Sequence, residues 1–413
     1  KYVDSIKNYN ANRHSNWYKK LNESDEGLKQ HWAQTDIDRS TWKTAAMPSL
    51  WSSFESNMKP GAIWMHRTFD VSKKQVGQTA RLFLGCIVDA DSVYVNGQFA
   101  GTTSYQYPPR KYEIPGSLLK EGKNEITIRV IDENGRGGFV KDKPYEIVFK
   151  DKSTIKLEGQ WQYKVGCEVV KIEPHIFIQW KPIGLYNAMI HPLFHYPIKG
   201  MLWYQGESNV GKPNEYFALM HELIHNWRTG WNNDELPFYF VQLANFLEAK
   251  EMPAESNWAA LRQQQLDMLK IPNTGMAVTI DIGEWNDIHP LNKKDVGERL
   301  ALHALKNQYV KKDIIISGPL VKKHRVSKNK VTLEFDFVQN GIKKVDALKY
   351  FELAGDDKKF VKATAVIKGK SIVLQSDQIN APKYVRYAWA DNPEDVNFFN
   401  MEGLPASPFE LKL

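Results

Sequence analysis

Hydrophobic periodicity changes character twice along this 413-residue chain, and each change calls for a different kind of sheet. Between residues 60 and 150, apolar and polar residues alternate in short runs: Ile63-Trp64-Met65-His66-Arg67-Thr68-Phe69, Ala80–Gly85 and Ser92–Val95. A period of two puts one face of a strand in a core and the other in water. Asn96-Gly97 follows the third run. Asn-Gly between alternating runs marks a hairpin, because a type I′ turn needs positive φ at both central residues. Further runs at Lys111–Ile114, Asn124–Asp132 and Tyr145–Phe149 complete a pattern that predicts an all-β sandwich over 51–155.

From residue 176 the pattern becomes strand, helix, strand. Gly200-Met201-Leu202-Trp203-Tyr204 is a short apolar run, and Tyr216, Leu219, Met220, Leu223, Ile224 and Trp227 then recur at helical spacing. Pro237–Leu243 reads as a buried strand, Trp258–Leu269 as a helix, Gly275–Ile280 as a strand and Asp295–Tyr309 as a helix. Such alternation predicts an α/β domain with a parallel sheet, over 156–312. Alternation of period two returns after 313, which predicts a small β domain and tail over 313–413. Residues 1–50 lack the Gly/Pro punctuation of a β domain and read as a helical or irregular lead-in to the α/β domain.

Composition narrows the function. Aromatics make up 12% of the chain, with 13 Trp and 18 Tyr, which fits either sugar-stacking surfaces or large β-rich cores. The net charge of +7 comes from scattered lysines with no basic block, so a nucleic-acid site is not expected. No apolar run approaches the ~18 residues of a membrane span. Cys86 and Cys167 sit in separate apolar stretches and read as buried thiols or as one disulfide. His221 and His225 have a metal-like spacing on a helix but no third ligand nearby, so no metal and no cofactor is expected.

In α/β sheets ligands sit beyond the carboxyl ends of the strands. Two polar loops occupy that place here: Gln205-Gly206-Glu207-Ser208-Asn209, and Asp281 through Pro290. His289, two residues after Asp287, suits a general base oriented by an acid, or equally a residue capping the next helix. Arg262, in Leu261-Arg262-Gln263, is a candidate for a substrate carboxylate or for an ion pair on the helix surface.

The block Gly200-Met201-Leu202-Trp203-Tyr204-Gln205-Gly206-Glu207-Ser208-Asn209 resembles the WYQGES block of the sialate O-acetylesterase family, within the SGNH/GDSL hydrolases. Asp287-Ile288-His289-Pro290, with Lys293 and Gly297-Glu298-Arg299-Leu300-Ala301, is similar to the family's last block, which holds the catalytic His. Gly184–Leu193, Leu236–Leu243 and the end from Val385 to Phe409 fit as well. The resemblance implies a three-layer SGNH-type α/β core with an inserted jelly-roll module. It implies a serine esterase that removes O-acetyl groups from sialic acid or related sugars, exported to the periplasm or beyond. His289 would be the base; the family's acid three residues before it is Asn286 here, so either Asp287 orients it or the site runs as a Ser-His dyad, and Gln205-Gly206 would be the oxyanion segment. Glu207 would be a buried carboxylate bridging loops, with Asn209 beside it at the substrate. The family's GQSN-type nucleophile block is not found. Ser56-Asn57-Met58 echoes it without the preceding strand and Gly, and Ser208 lacks the Gly two residues on that an elbow needs, since Val210 stands there. The chain is therefore expected to be a family member whose nucleophile and first sheet strand lie outside this sequence, its own N-terminal segment being the missing partner.

Two other functions fit the same residues. A glycoside hydrolase would use Glu207 with Asp281 or Glu284 across a glycosidic bond. A non-catalytic carbohydrate-binding protein would need neither pair nor nucleophile.

Overall fold

The computed structural model describes residues 2–55, 57–178, 181–311 and 313–413. It divides into two compact units, Lys1–Gly184 and Leu185–Leu413.

The first unit opens with helices α1 (Tyr2–Ser24) and α2 (Glu26–Lys29). Its strands are β1 (Lys43–Met47), β2 (Gly61–Val71), β3 (Ala80–Leu84), β4 (Ile87–Val88), β5 (Ala90–Val95), β6 (Gln98–Thr103), β7 (Lys111–Ile114), β8 (Gly122–Asp132), β9 (Gly138–Phe139), β10 (Tyr145–Phe149), β11 (Thr154–Lys156) and β12 (Gly159–Glu168). An antiparallel sheet in the order β1-β12-β2-β8-β5-β6 and a second in the order β11-β10-β3-β7 share one core. Met65, Val93 and Ile128 enter it from the larger sheet, and Leu82, Ile114 and Ile147 from the smaller. Asn96 and Gly97, at φ 48° and 80°, make the turn between β5 and β6.

These sheets reach beyond the expected 51–155. β1 and β12 pair with each other, and β12 pairs with β2, so 43–47 and 159–168 are strands of the larger sheet. The lead-in also belongs to this unit. Trp17 and Leu21 of α1 are buried against Ala62, Ala90, Ile131 and Cys167. Asp25, fully buried, accepts hydrogen bonds from Gly27 N, Trp64 Nε1 and Arg129 Nε at 2.8, 3.0 and 2.7 Å. A buried carboxylate needs such partners, and its two side-chain donors, Trp64 and Arg129, come from the sheet rather than from the α/β region. Both cysteines are buried thiols outside any disulfide, Cys86 donating to Tyr107 O at 3.2 Å and Cys167 to Leu21 O at 3.5 Å.

In the second unit β13 (Met201–Trp203), β14 (Phe238–Val241) and β15 (Thr274–Ala277) form a parallel sheet in that order. Helices α3 (Tyr216–Gly230), α4 (Asn257–Asp267) and α5 (Lys293–Asn307) follow the three strands in turn. All four residues of β14 are buried. Phe238 and Phe240 face a core with Met220 and Ile224 of α3 and Trp258 and Leu261 of α4. Tyr239 and Val241 face the opposite way, against Val296 and Leu300 of α5. Helices thus cover both faces, as a parallel sheet requires.

The remaining strands are β16 (Leu320–Ser327), β17 (Lys330–Asp336), β18 (Phe351–Ala354), β19 (Val361–Lys362), β20 (Thr364–Lys368), β21 (Ser371–Gln375), β22 (Tyr384–Tyr387) and β23 (Phe409–Lys412). They form sheets in the orders β16-β17-β21-β20 and β19-β18-β22-β23. The segment is not a small domain of its own. Leu333, Leu353, Ile372, Val385 and Phe409 lie in the same core as Phe240, Trp258 and Leu261.

Candidate active site

Three loops leave the carboxyl ends of the parallel strands, where such sheets place their ligands. The first runs from Tyr204 into a 3-10 turn at Glu207–Asn209. Gln205 Nε2 donates to Asn209 Oδ1 at 2.8 Å, and Tyr216 Oη donates to the Gln205 carbonyl at 2.8 Å. Gly206 is buried against α4. A Cβ there would stand 3.0 Å from Leu261 Cδ2 and 3.2 Å from both Gln265 Nε2 and Leu243 Cδ2, so any larger residue would have to push these side chains aside by a few tenths of an ångström. Gln265, fully buried, accepts from Leu243 N at 2.8 Å and donates to Val241 O at 3.2 Å. Its amide fixes the end of β14 beside the first loop.

The second loop, from Gln242 to Leu247, was not singled out by sequence reasoning. Its position directly after a buried strand was the available signal. Asn245 Oδ1 accepts from Gly283 N at 2.8 Å, and Leu247 N donates to Trp285 O at 2.8 Å. Both bonds tie the second loop to the third.

The third loop is pinned at its start. Arg299 on α5 holds Asp281 through two bonds of 2.6 and 2.7 Å and also donates to Val278 O at 2.6 Å. Asp287 is buried, and its Oδ1 accepts from His289 N at 2.9 Å, the Asx turn expected of an Asp in a tight loop. His289 itself is exposed. Helix α5 is capped by Asn292, whose side chain accepts from Asp295 N at 3.2 Å. Neither Asp287 nor His289 is spent on that cap. Lys293 Nζ lies 4.7 Å from the ring centroid of Tyr204, which brings the third loop against the first. Burial pushes the Tyr204 hydroxyl up to about 12, and the charge of Glu207 adds to the shift.

The site residues read from sequence divide accordingly. Gln205, Gly206, Glu207, Asn209, Asp287 and His289 all lie on these loops. Glu207 is half-buried, and its carboxylate bonds no described residue, so the loop-bridging role falls to Gln265 and Lys293 instead. Arg262 is corrected. It is completely buried and donates to the carbonyls of Leu243, Ala244, Ala390 and Asp391 at 2.6–2.9 Å. Burial lowers its pKa to about 9, and no substrate carboxylate reaches a guanidinium enclosed by backbone. Asp281 is occupied by Arg299, and Glu284 Oε1 accepts from Leu291 N at 2.8 Å, so neither is presented as a glycosidase carboxylate. Ser208 is exposed on the 3-10 turn. Ser56 lies outside the described residues. His221 and His225 face solvent on α3. Among the described residues no His, Cys, Asp or Glu cluster could hold a metal, and no helix is long and apolar enough to cross a membrane.

Residues 175–306 match the family model "Carbohydrate esterase, sialic acid-specific acetylesterase". Human sialate O-acetylesterase is 31% identical over 253 residues, covering 54% of this chain and 48% of that protein. The mouse enzyme is 30% identical over 252 residues, with 54% and 46% covered. The chain thus spans about half the length of the curated relatives it matches. A solved carbohydrate acetylesterase from Xanthomonas citri is 25% identical, covers 82% of this chain and 96% of that one, and superposes with a TM-score of 0.53. The matched segment contains the first loop, the second loop and His289.

Proposed function

We propose that this protein is a carbohydrate esterase that removes O-acetyl groups from sialic acid or related sugars by serine acyl transfer. The observation that carries the reading is the convergence of the first and third loops at one edge of the parallel sheet, joined by Tyr204 and Lys293. His289 takes the proton of the serine hydroxyl as the serine attacks the acetyl carbonyl, and returns it to the departing sugar oxygen. Asp287 holds the backbone of His289 and orients the ring. The 3-10 turn at Glu207–Asn209 leaves N–H groups at its start without intrahelical acceptors. Those donors, with the Gln205-Gly206 backbone, receive the oxyanion, each worth typically ~2.7–4 kcal/mol in the transition state.

The attacking serine is supplied by a segment outside these 413 residues. Within the second unit, the helix-covered parallel sheet is the SGNH-type core, and the two antiparallel sheets of the first unit are its jelly-roll insert. Both assignments rest on the family resemblance, as does export from the cytoplasm.

The test compares two proteins on an O-acetylated sialic acid and on a chromogenic acetate: the 413-residue chain, and a longer version carrying a GQSN-type block. Turnover is expected from the longer protein alone. Acylation of Ser208 in the short chain, mapped by mass spectrometry after a fluorophosphonate probe, would overturn the placement of the nucleophile.

A further inference from the structure

The loss of Arg262 as a candidate leaves the site without its assigned reader of an acidic sugar. We infer that Lys293 is the residue that pairs with the substrate carboxylate and so sets the preference for acidic over neutral sugars. The inference rests on the esterase reading of the site.

Among the described residues, several other cations on or beside these segments carry a partner. Lys212 pairs with Glu215 at 3.4 Å, Lys250 with Asp391 at 3.1 Å and Lys294 with Glu298 at 3.6 Å. Arg299 is held by Asp281, and Arg262 by backbone carbonyls. Lys293 has no salt-bridge partner among the described residues, and its ammonium rests on the Tyr204 ring instead. An aromatic face attracts a cation without neutralising it, so the three N–H donors stay available to an anion. Position supports the role. Lys293 stands four residues after His289, and Tyr204 immediately precedes Gln205, so the ammonium sits where the base loop and the oxyanion loop meet. A sugar whose ester carbonyl lies between those loops brings a ring carboxylate within reach of this exposed cation. Tyr204, at 36% exposed, also offers ring surface for the sugar's apolar face. Glu207 lies close enough to influence Tyr204 yet forms no salt bridge with Lys293. The recognition is therefore a short-range, charge-assisted hydrogen bond rather than long-range attraction to a basic patch.

Binding tests this without requiring turnover. The 413-residue chain is titrated with N-acetylneuraminic acid and with its neutral methyl ester, by calorimetry or saturation-transfer NMR. The acid should bind about tenfold tighter than the ester, the size of one charge-assisted hydrogen bond. Lys293→Gln should erase that ratio, because the acid loses affinity that the neutral ester never had. Lys293→Arg should restore most of it, and Tyr204→Phe should retain it because the ring remains. Lys293 is exposed, and an unchanged melting temperature in K293Q shows that folding is intact. If K293Q keeps the preference for the acid, or if acid and ester bind the wild type equally, Lys293 is not the reader, and the esterase reading stands. If neither ligand binds, the sialic-acid reading of the site falls, and this inference falls with it.

Discussion

The two units bury charge in opposite ways, and the contrast shows where chemistry can happen. In the first unit Arg110 and Asp91 are both fully buried and meet at 2.6 Å, with Arg110 also donating to the carbonyls of Gln106, Pro108, Ile87 and Asp89. Asp25 and Arg129 form a second buried pair at 2.7 Å. These groups are saturated by a framework of antiparallel strands and hairpins and have nothing left for a ligand. In the second unit the same kind of saturation includes the supports of the site loops: Arg262, Gln265 and the Asp281–Arg299 pair. Those supports hold loops on which His289 and Lys293 remain exposed. An antiparallel sheet closes its ends with short turns, whereas a parallel sheet gathers every outgoing loop at one edge.

The largest expected effects would break this contrast if they failed. In the protein that carries the nucleophile, His289→Ala should lower kcat about 10²–10⁴-fold, the range for loss of a general base, with the melting temperature unchanged. Arg110→Ala should do the reverse. Removing one partner strands a buried carboxylate at Asp91 and costs about 3–5 kcal/mol in denaturant unfolding. Its effect on kcat should follow only the fraction folded. An H289A protein that melts lower, or an R110A protein that folds normally yet loses turnover, would show that the division between framework and site is misplaced.

Arg299→Ala is an intermediate case. It frees Asp281 at the root of the third loop while leaving His289 and Lys293 in place. Turnover should fall by about tenfold to a hundredfold, through misplacement of the base, and Arg299→Lys should rescue it incompletely because an ammonium cannot match two carboxylate oxygens at once. Equal activity in R299A and wild type would mean that the Asx turn at Asp287 positions His289 unaided.

Legibility follows the same division. The β5–β6 hairpin is written in Asn96-Gly97, and the parallel sheet in buried runs such as Phe238–Val241, because turn chemistry and strand burial are local properties. The edges of the first unit are not local. β1 and β12 pair across more than a hundred residues, and Lys43–Met47 carries no pattern that reveals its partner. Arg262 was misread for a related reason. Its fully buried guanidinium satisfies carbonyls from two distant segments, 243–244 and 390–391, and no spacing within Leu261-Arg262-Gln263 announces that. Lys293 stood in view within the His289 block, but its contact with Tyr204 joins loops almost ninety residues apart.

The smallest of these effects concerns the one buried carboxyl that neither unit's pattern covers. Glu352 on β18 is 1% exposed, and both of its oxygens lack a hydrogen-bond partner. Register places Arg386 of β22 on one side and Lys362 of β19 on the other. Arg386 is already engaged by Glu410 of β23 at 2.7 Å and Glu255 at 2.9 Å, and its guanidinium lies 3.7 Å from the ring centroid of Phe360. Burial pushes the Glu352 carboxyl from 4.5 up to about 7, with Arg386 opposing the shift and Glu255 adding to it. The folded chain therefore holds a proton that the unfolded chain has released between about pH 4.5 and about pH 7. Stability falls as pH rises through that window and levels off above it. Glu352→Gln imitates the protonated acid. It should match wild type near pH 4.5 and exceed it by about 2 kcal/mol at pH 8, since the amide avoids the cost of burying a charge. Urea melts of both proteins across pH 4.5–8.5 measure the gap. Parallel pH curves for the two would mean that Arg386 or Lys362 turns to meet the ionised carboxylate, and that this face of the second unit is as fully paired as the core of the first.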